Sequence, residues 1–317
     1  MFKFVKKSLE TFQSLLDYKS SQNSIVTLGT FDGVHIGHKK IIEKLIQNSS
    51  NCECESLVLT FFPHPRMILQ DSQEIKLLNT IEERIQLLEA SGLDSLVIHP
   101  FDQVFSRLTA EEFVSTVLVD QFNVKKIIIG YDHRFGRNRT ADIHDLIEFG
   151  KKYEFEVEQI SAQEIDEVSV SSTKIRKALL EGNVALANEY LGYAYLLTGT
   201  IVKGKGIGRT INFPTANLKI EESYKLIPKN GVYIIQSTIN NRLVFGMMNI
   251  GFNPTVNGEG QSIEIHFFDF KEILYDKKLQ IQVLKRIRDE EKFDSLEQLT
   301  EQLEKDKSTA MNYIHTL

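Results

Sequence analysis

The sequence predicts an α/β protein of two domains, and three observations carry that expectation. From residue 24 to about 182, short apolar strands alternate with amphipathic segments. Such alternation implies a mainly parallel sheet covered by helices on both faces. From Leu196 onward the texture becomes β-branched and aromatic, with turn residues at close intervals, which implies a small antiparallel barrel or sandwich. One helix then closes the chain. The boundary is expected near residues 182–195, giving domains 1–182 and 183–317, and 317 residues suffice for two cores.

Ser24-Ile-Val-Thr-Leu28 reads as a buried strand closed by Gly29. Ile41, Ile42, Leu45 and Ile46 then recur at helical spacing, so a helix begins near Ile36. Between them Asp32-Gly33 permits a tight reversal. Further strands are expected at Ser56–Phe61, Ser95–His99, Lys125–Ile129 and Phe155–Ile160, with helices starting near Thr80, Thr109 and Ala141. Thr80-x-x-Glu83 and Thr109-x-x-Glu112 are capping boxes. In such a sheet, ligands bind at the carboxyl ends of strands where the strand order reverses, and the motif loops here all follow strands.

His35 and His38 stand on one face of the first helical turn. A helix N-terminus offers unpaired N–H groups and the positive dipole end, and two imidazoles there add hydrogen bonds to phosphate. The order Gly29-x-Phe31-Asp32-Gly33-x-His35-x-x-His38 resembles the signature of the HIGH-motif nucleotidyltransferases, whose fold is Rossmann-like. That resemblance implies that His35 and His38 are catalytic, holding the ATP phosphates while a nucleophile attacks the α-phosphorus. It assigns Gly29, Phe31, Asp32 and Gly33 to the same nucleotide. No Walker A pattern occurs in the chain.

Three later stretches join this set. Phe61-Phe-Pro-His64-Pro-Arg66 presents His64 and Arg66 on a connector stiffened by two prolines. Gly130-Tyr-Asp132-His-Arg134-Phe-Gly-Arg-Asn-Arg139 interleaves arginines with glycine and aromatics, as a phosphate- or base-contacting loop does. In Val168-Ser-Val-Ser-Ser172-Thr173-Lys-Ile-Arg176, Ser171 or Ser172 caps a helix whose start carries hydroxyls and positive charge. This stretch is similar to the second phosphate-binding element of the superfamily. The resemblance thus adds His64, Asp132, Arg134, Ser172, Thr173 and Arg176 as nucleotide contacts.

Asn183–Leu191 reads as a short helix, followed by strands at Leu197–Val202, Val232–Ile239, Leu243–Ile250, Ser262–Phe268 and Gln280–Leu284. Asn240-Asn241 marks a tight hairpin. Ser295-x-x-Gln298 opens the closing helix as a capping box, and Leu296, Leu299, Leu303, Met311 and Ile314 supply its apolar positions. Lys203-Gly204-Lys205-Gly206-Ile-Gly208-Arg209 lets the backbone approach phosphate closely while its cations neutralise charge. In Asn212-Phe-Pro-Thr215-Ala-Asn217, Thr215 and Asn217 offer hard oxygen ligands suited to Mg²⁺ bridging nucleotide phosphates.

With Gly231-Val-Tyr233, Asn249-Ile-Gly-Phe-Asn-Pro-Thr255, Glu264-Ile-His266 and Arg288-x-Glu290, these motifs resemble the riboflavin kinase domain along its length. From Ser24 onward the chain looks like the bacterial bifunctional riboflavin kinase/FAD synthetase family. The resemblance implies a barrel rather than a sandwich, and ATP, riboflavin and FMN as substrates with Mg²⁺. It places Gly204, Lys205, Gly206, Gly208, Arg209, Thr215 and Asn217 on the kinase nucleotide, Arg288 on flavin, and the catalytic carboxylate at Glu264. Other HIGH-type transferases would leave the second motif set unexplained. Three positions depart from the pattern: His133 for Phe, Asn212 for Gly, and Asn253 for Arg.

A formal charge of −6 argues against broad nucleic-acid or anionic-membrane binding. The start has no long apolar core, and no run approaches membrane-spanning length, so a cytoplasmic protein is expected. Cys52 and Cys54 are the only cysteines, too few and too close for a disulfide framework or zinc site, and read as incidental.

Overall fold

The computed structural model describes residues 8–69, 75–130, 134–161, 170–204, 207–255 and 258–317, without the side chains of 207 and 253–260. The chain divides into two compact units, Met1–Ser171 and Ser172–Leu317.

The first unit carries β1 (Glu10–Phe12), β2 (Ser24–Leu28), α1 (Ile36–Cys52), β3 (Glu55–Phe61), α2 (Pro65–Leu69), α3 (Ile81–Glu89) and β4 (Ser95–His99). It continues with α4 (Ala110–Phe113), which runs on into a wider π-type turn at Val114–Gln121, then β5 (Val124–Gly130), α5 (Ile143–Tyr153) and β6 (Glu156–Ile160). The six strands pair in parallel in the order β1-β4-β3-β2-β5-β6. The chain leaves β2 toward β3 on one side and returns as β5 on the other. The carboxyl end of β2 is therefore the switch point at which such sheets bind ligands.

The central strands are buried on both faces and divide their side chains by period two. Val26, Leu28, Leu57, Leu59, Ile127 and Ile129 enter one core. Ile25, Val58, Leu96, Ile98 and Ile128 enter the other, beneath Ile42 and Leu45 of α1. Both expected capping boxes form, at Thr80 and Thr109. A third opens α5 through Asp142 and Asp145, one residue after the expected start. Cys52 and Cys54 are joined by a disulfide, which the incidental reading did not foresee. Glu53 between them takes a left-handed conformation (φ 54°) and turns the two side chains together.

The second unit carries α6 (Ser172–Glu181), α7 (Val184–Leu191), β7 (Tyr195–Val202), α8 (Ile207–Thr210) and β8 (Ala216–Lys219). Then follow β9 (Gly231–Ile239), β10 (Arg242–Thr255), β11 (Gly258–Phe267), β12 (Lys278–Arg288) and α9 (Leu296–Ile314). Strands β7 to β12 close a barrel in the order β10-β11-β8-β7-β12-β9, so the barrel alternative holds. Asn240 and Asn241, both at positive φ, make the expected hairpin. Helix α9 covers one barrel face, with Ala310, Leu303 and Met311 against Phe213, Ile234, Met247 and Phe268. Ser295 caps α9 as expected, but Gln298 reaches back to the N–H of Asp294 instead of closing a box on Ser295.

Helix α6 packs on α7, and the Lys229 N–H donates to the carbonyl of Leu179. That contact is why α6 groups with the barrel and the compact units divide between Ser171 and Ser172.

Candidate active sites

The first site begins where β2 stops. The Gly29 N–H still donates to Leu59 of β3, and the chain then turns through Phe31, Gly33 and Val34, all at positive φ. Left-handed φ at Phe31 and Val34 is strained backbone, which persists only where the surroundings enforce it. The buried Asp32 carboxylate does so: it accepts from the N–H groups of Leu78 (2.9 Å) and Asn79 (3.3 Å). It also faces Arg84, 4.0 Å away and equally buried. Arg84 in turn donates to Thr60, whose hydroxyl donates to the carbonyl of Thr30. Asp32, expected on the nucleotide, uses its carboxylate to brace the turn.

His35 is the N-cap of α1, its Nδ1 accepting from the His38 N–H at 3.4 Å. An accepting Nδ1 leaves the ring proton on Nε2, which is then the donor. The two imidazoles stack, with centroids 3.6 Å apart and planes 16° from parallel. The Phe31 ring lies 5.1 Å from that of His38. Burial pushes His35 down to about 4, only partly opposed by Asp32. Burial, then His35 and then Arg84 hold His38 well below the usual imidazole range. Both rings are therefore neutral near pH 7. Among the described residues, the buried Nδ1 of His38 has no hydrogen-bond partner. A polar ring nitrogen is seldom buried unpaired, so it fits a ligand oxygen.

His64 is buried beyond the carboxyl end of β3, its Nδ1 accepting from the Arg66 N–H at 3.1 Å. Arg66 stands in α2, where the sequence suggested an irregular connector. Arg134 is exposed, beside the buried Phe135. Asp132 and His133 lie outside the described residues, as do Lys205 and Gly206. Ser172, Thr173 and Arg176 stand in the first half of α6, within the second compact unit.

The second site lies on the barrel. The end of the Asn212–Asn217 segment forms strand β8 from Ala216, and Asn217 pairs with Glu264 of β11. Asn249 of β10 pairs with Glu264 from the other side. The Thr215 hydroxyl donates to Glu264 Oε2 at 3.2 Å. Gly204 lies against the Asn217 side chain so closely that any Cβ would collide with its amide, and a Cβ on Gly208 would strike the carbonyl of Phe213. Gly204 thus lets the backbone after β7 approach β8, and Gly208 lets α8 approach Phe213.

The Thr215 hydroxyl and the Asn217 side-chain amide offer hard oxygens that fit Mg²⁺ carrying phosphates, with the Glu264 carboxylate beside them. Among the described residues no group of three or more His, Cys, Asp or Glu could hold a metal, so phosphate and water oxygens would complete that shell. Arg209 donates to the Tyr275 hydroxyl at 2.7 Å. Arg288, expected on flavin, grips the buried Asp306 of α9 with Nε and Nη2, and its Nη1 donates to the Asp289 carbonyl. An open cleft of about 690 Å³ runs between Ile211 and the start of α9. Glu297, Glu301 and Glu304 line it together with Lys305, which leaves it acidic on balance.

Residues 17–174 match the FAD synthetase family and residues 191–314 the riboflavin kinase family. The chain is 36% identical to the bifunctional riboflavin kinase/FMN adenylyltransferase of Bacillus subtilis, over 93% of each chain. It is 35% identical to the protein of that name from Buchnera aphidicola of Schizaphis graminum, over 94% of this chain and 96% of the other. This chain belongs to the bifunctional riboflavin kinase/FMN adenylyltransferase family. Members are transferases. A solved structure from Streptococcus pneumoniae, described as a macrolide-efflux protein, is 31% identical with a TM-score of 0.87, covering 96% of this chain and 99% of that one. Among the described residues here, no helix is long and apolar enough to cross a membrane.

Family membership clarifies one departure. Asn212 takes φ 62°, a left-handed conformation that glycine adopts freely and asparagine tolerates better than most residues. Two bracing residues escaped sequence reasoning but leave a trace there. Arg84 falls on the apolar stripe of α3 with Ile81, Ile85 and Leu88, and Asp306 on that of α9 with Leu299, Leu303 and Ala310. A lone charge on such a stripe marks a buried ion pair.

Proposed function

We propose that the chain makes FMN from riboflavin and ATP on its second domain, 183–317. On its first, 1–182, it makes FAD and pyrophosphate from FMN and a second ATP. One observation carries this reading: a single chain holds the His35–His38 stack at the sheet's switch point and the Thr215–Glu264 contact on a barrel. The names of the relatives agree with both halves.

At the first site an oxygen of the FMN phosphate attacks the α-phosphorus of ATP and pyrophosphate leaves. The neutral imidazoles and the N–H groups opening α1 donate to the phosphate oxygens as charge shifts onto the leaving group. At the second, Glu264 accepts the proton of the terminal ribityl hydroxyl as it attacks the γ-phosphorus of ATP. Thr215 and Asn217 would hold Mg²⁺, which when bound neutralises charge on the transferring and leaving phosphates. The protein's own work is to orient that hydroxyl on a rigid strand and take its proton.

The net charge supports small-molecule substrates rather than nucleic acid. Incubation with riboflavin, ATP and Mg²⁺, with chromatographic resolution of the flavins, tests the reading. FMN should appear first and FAD after it. A protein that binds flavin without converting it would contradict the proposal.

A further inference from the structure

Strand β11 touches the Pro214-Thr215 segment twice, and the proposed chemistry uses only one of the contacts. Glu264 and His266 are two residues apart, so period two puts both on one face of the strand. Glu264 receives the hydroxyl of Thr215. The Nδ1 of His266 lies 2.9 Å from the carbonyl oxygen of Pro214, the preceding residue. A carbonyl can only accept, so Nδ1 carries the proton and donates. The ring is half-buried, 5.0 Å from the Phe213 ring and 5.8 Å from that of Phe268. Phe213 is itself buried, and its N–H donates to the Gly208 carbonyl at 2.8 Å.

We infer that His266 is a positioning residue for phosphoryl transfer, fixing residues 213–215 on β11 so that Thr215 meets Glu264. The inference rests on Glu264 and Thr215 serving the kinase reaction as proposed above. Proline has no N–H with which to join a ladder, so its carbonyl is the group by which this turn is tied to the strand. The imidazole supplies that tie beside the carboxylate that does the chemistry. Burial lowers the His266 pKa, so the ring is neutral near pH 7 and adds no charge beside Glu264. A misplacement of about 1 Å in such a site can cost about 100-fold in rate.

Two amide substitutions separate positioning from packing. The Asn amide nitrogen sits where Nδ1 does and can still donate to Pro214, whereas that of Gln sits near the Nε2 position. In the full chain, His266→Gln should lower kcat for riboflavin phosphorylation by about 10- to 100-fold. Riboflavin binding, read from quenching of flavin fluorescence, should change less than about threefold, or under ~1 kcal/mol. His266→Asn should recover most of kcat. A Gln variant that turns over at the wild-type rate, or an Asn variant no better than Gln, would overturn the inference. So would loss of kcat that tracks loss of thermal stability in both variants. Glu264→Gln assayed alongside keeps the two readings apart. If it keeps full kinase turnover, the premise fails; if it is inactive while His266→Gln is not, only the role of His266 fails.

Discussion

The imidazoles of His35 and His38 stack at 3.6 Å within the first turn of α1. Stacked cations repel, and both rings are held below the usual imidazole range chiefly by burial. In the proposed reaction they therefore meet the triphosphate as neutral donors on a helix N-terminus.

Replacing both by alanine should abolish FAD formation and leave FMN formation intact. Each lost donor in a phosphate site costs roughly 2–4 kcal/mol at the transition state. Separate assays with FMN and with riboflavin check this, and FAD synthesis near the wild-type rate would refute it.

The same pair predicts an acid dependence of stability. A histidine whose folded pKa is depressed binds fewer protons folded than unfolded, so stability rises with pH between the two values. For His35 that window runs from about 4 up to the ordinary value of 6.5. Thermal unfolding of the chain should show the first unit losing stability as pH falls through this range. His35→Gln with His38→Gln should flatten the slope, and an unchanged slope would count against buried neutral rings.

Gly204→Ala tests the close approach at the second site. Its Cβ would collide with the Asn217 amide, the free end of a side chain, so the fold should survive while Asn217 is displaced. Kinase turnover should fall about tenfold or more, with an unfolding temperature near wild type. Unchanged kinase kinetics would remove Asn217 from the site.

Cutting the chain tests the domain assignment. A fragment from Asn183 to Leu317 keeps every barrel strand and α9, and should make FMN. One starting at Ser172 adds α6, with Ile175, Ala178 and Leu179 buried, and should unfold at a higher temperature. Equal stability would mean that α6 contributes nothing to the barrel unit.

The elements that position chemistry were legible because their signals are local. The stop after Leu28, the Asp32-Gly33 turn and the helix from Ile36 are written in consecutive residues, as are the capping threonines 80 and 109. What escaped depends on partners far along the chain. β1 has three residues, and pairing with β4 alone makes it a strand. Asn212 to Asn217 carry turn residues, yet pairing with β7 and β11 makes a strand from Ala216. The resemblance places Asp32 on nucleotide and Arg288 on flavin, but it does not reveal that each carries a buried brace as well. Their partners, Arg84 and Asp306, sit 52 and 18 residues away, and no spacing rule links them.

The central claim is that one chain runs two transfers at separate sites, with Glu264 as the base of the kinase. Glu264→Gln keeps the size of the side chain and an acceptor for the Thr215 hydroxyl, but removes the carboxylate. The purified, folded variant is to be assayed separately with riboflavin and with FMN, ATP and Mg²⁺ being present in both. Riboflavin phosphorylation should fall by about 10²–10⁴-fold while FMN adenylylation stays almost unchanged. Kinase turnover within a few-fold of wild type, or an equal loss of both activities, would contradict it.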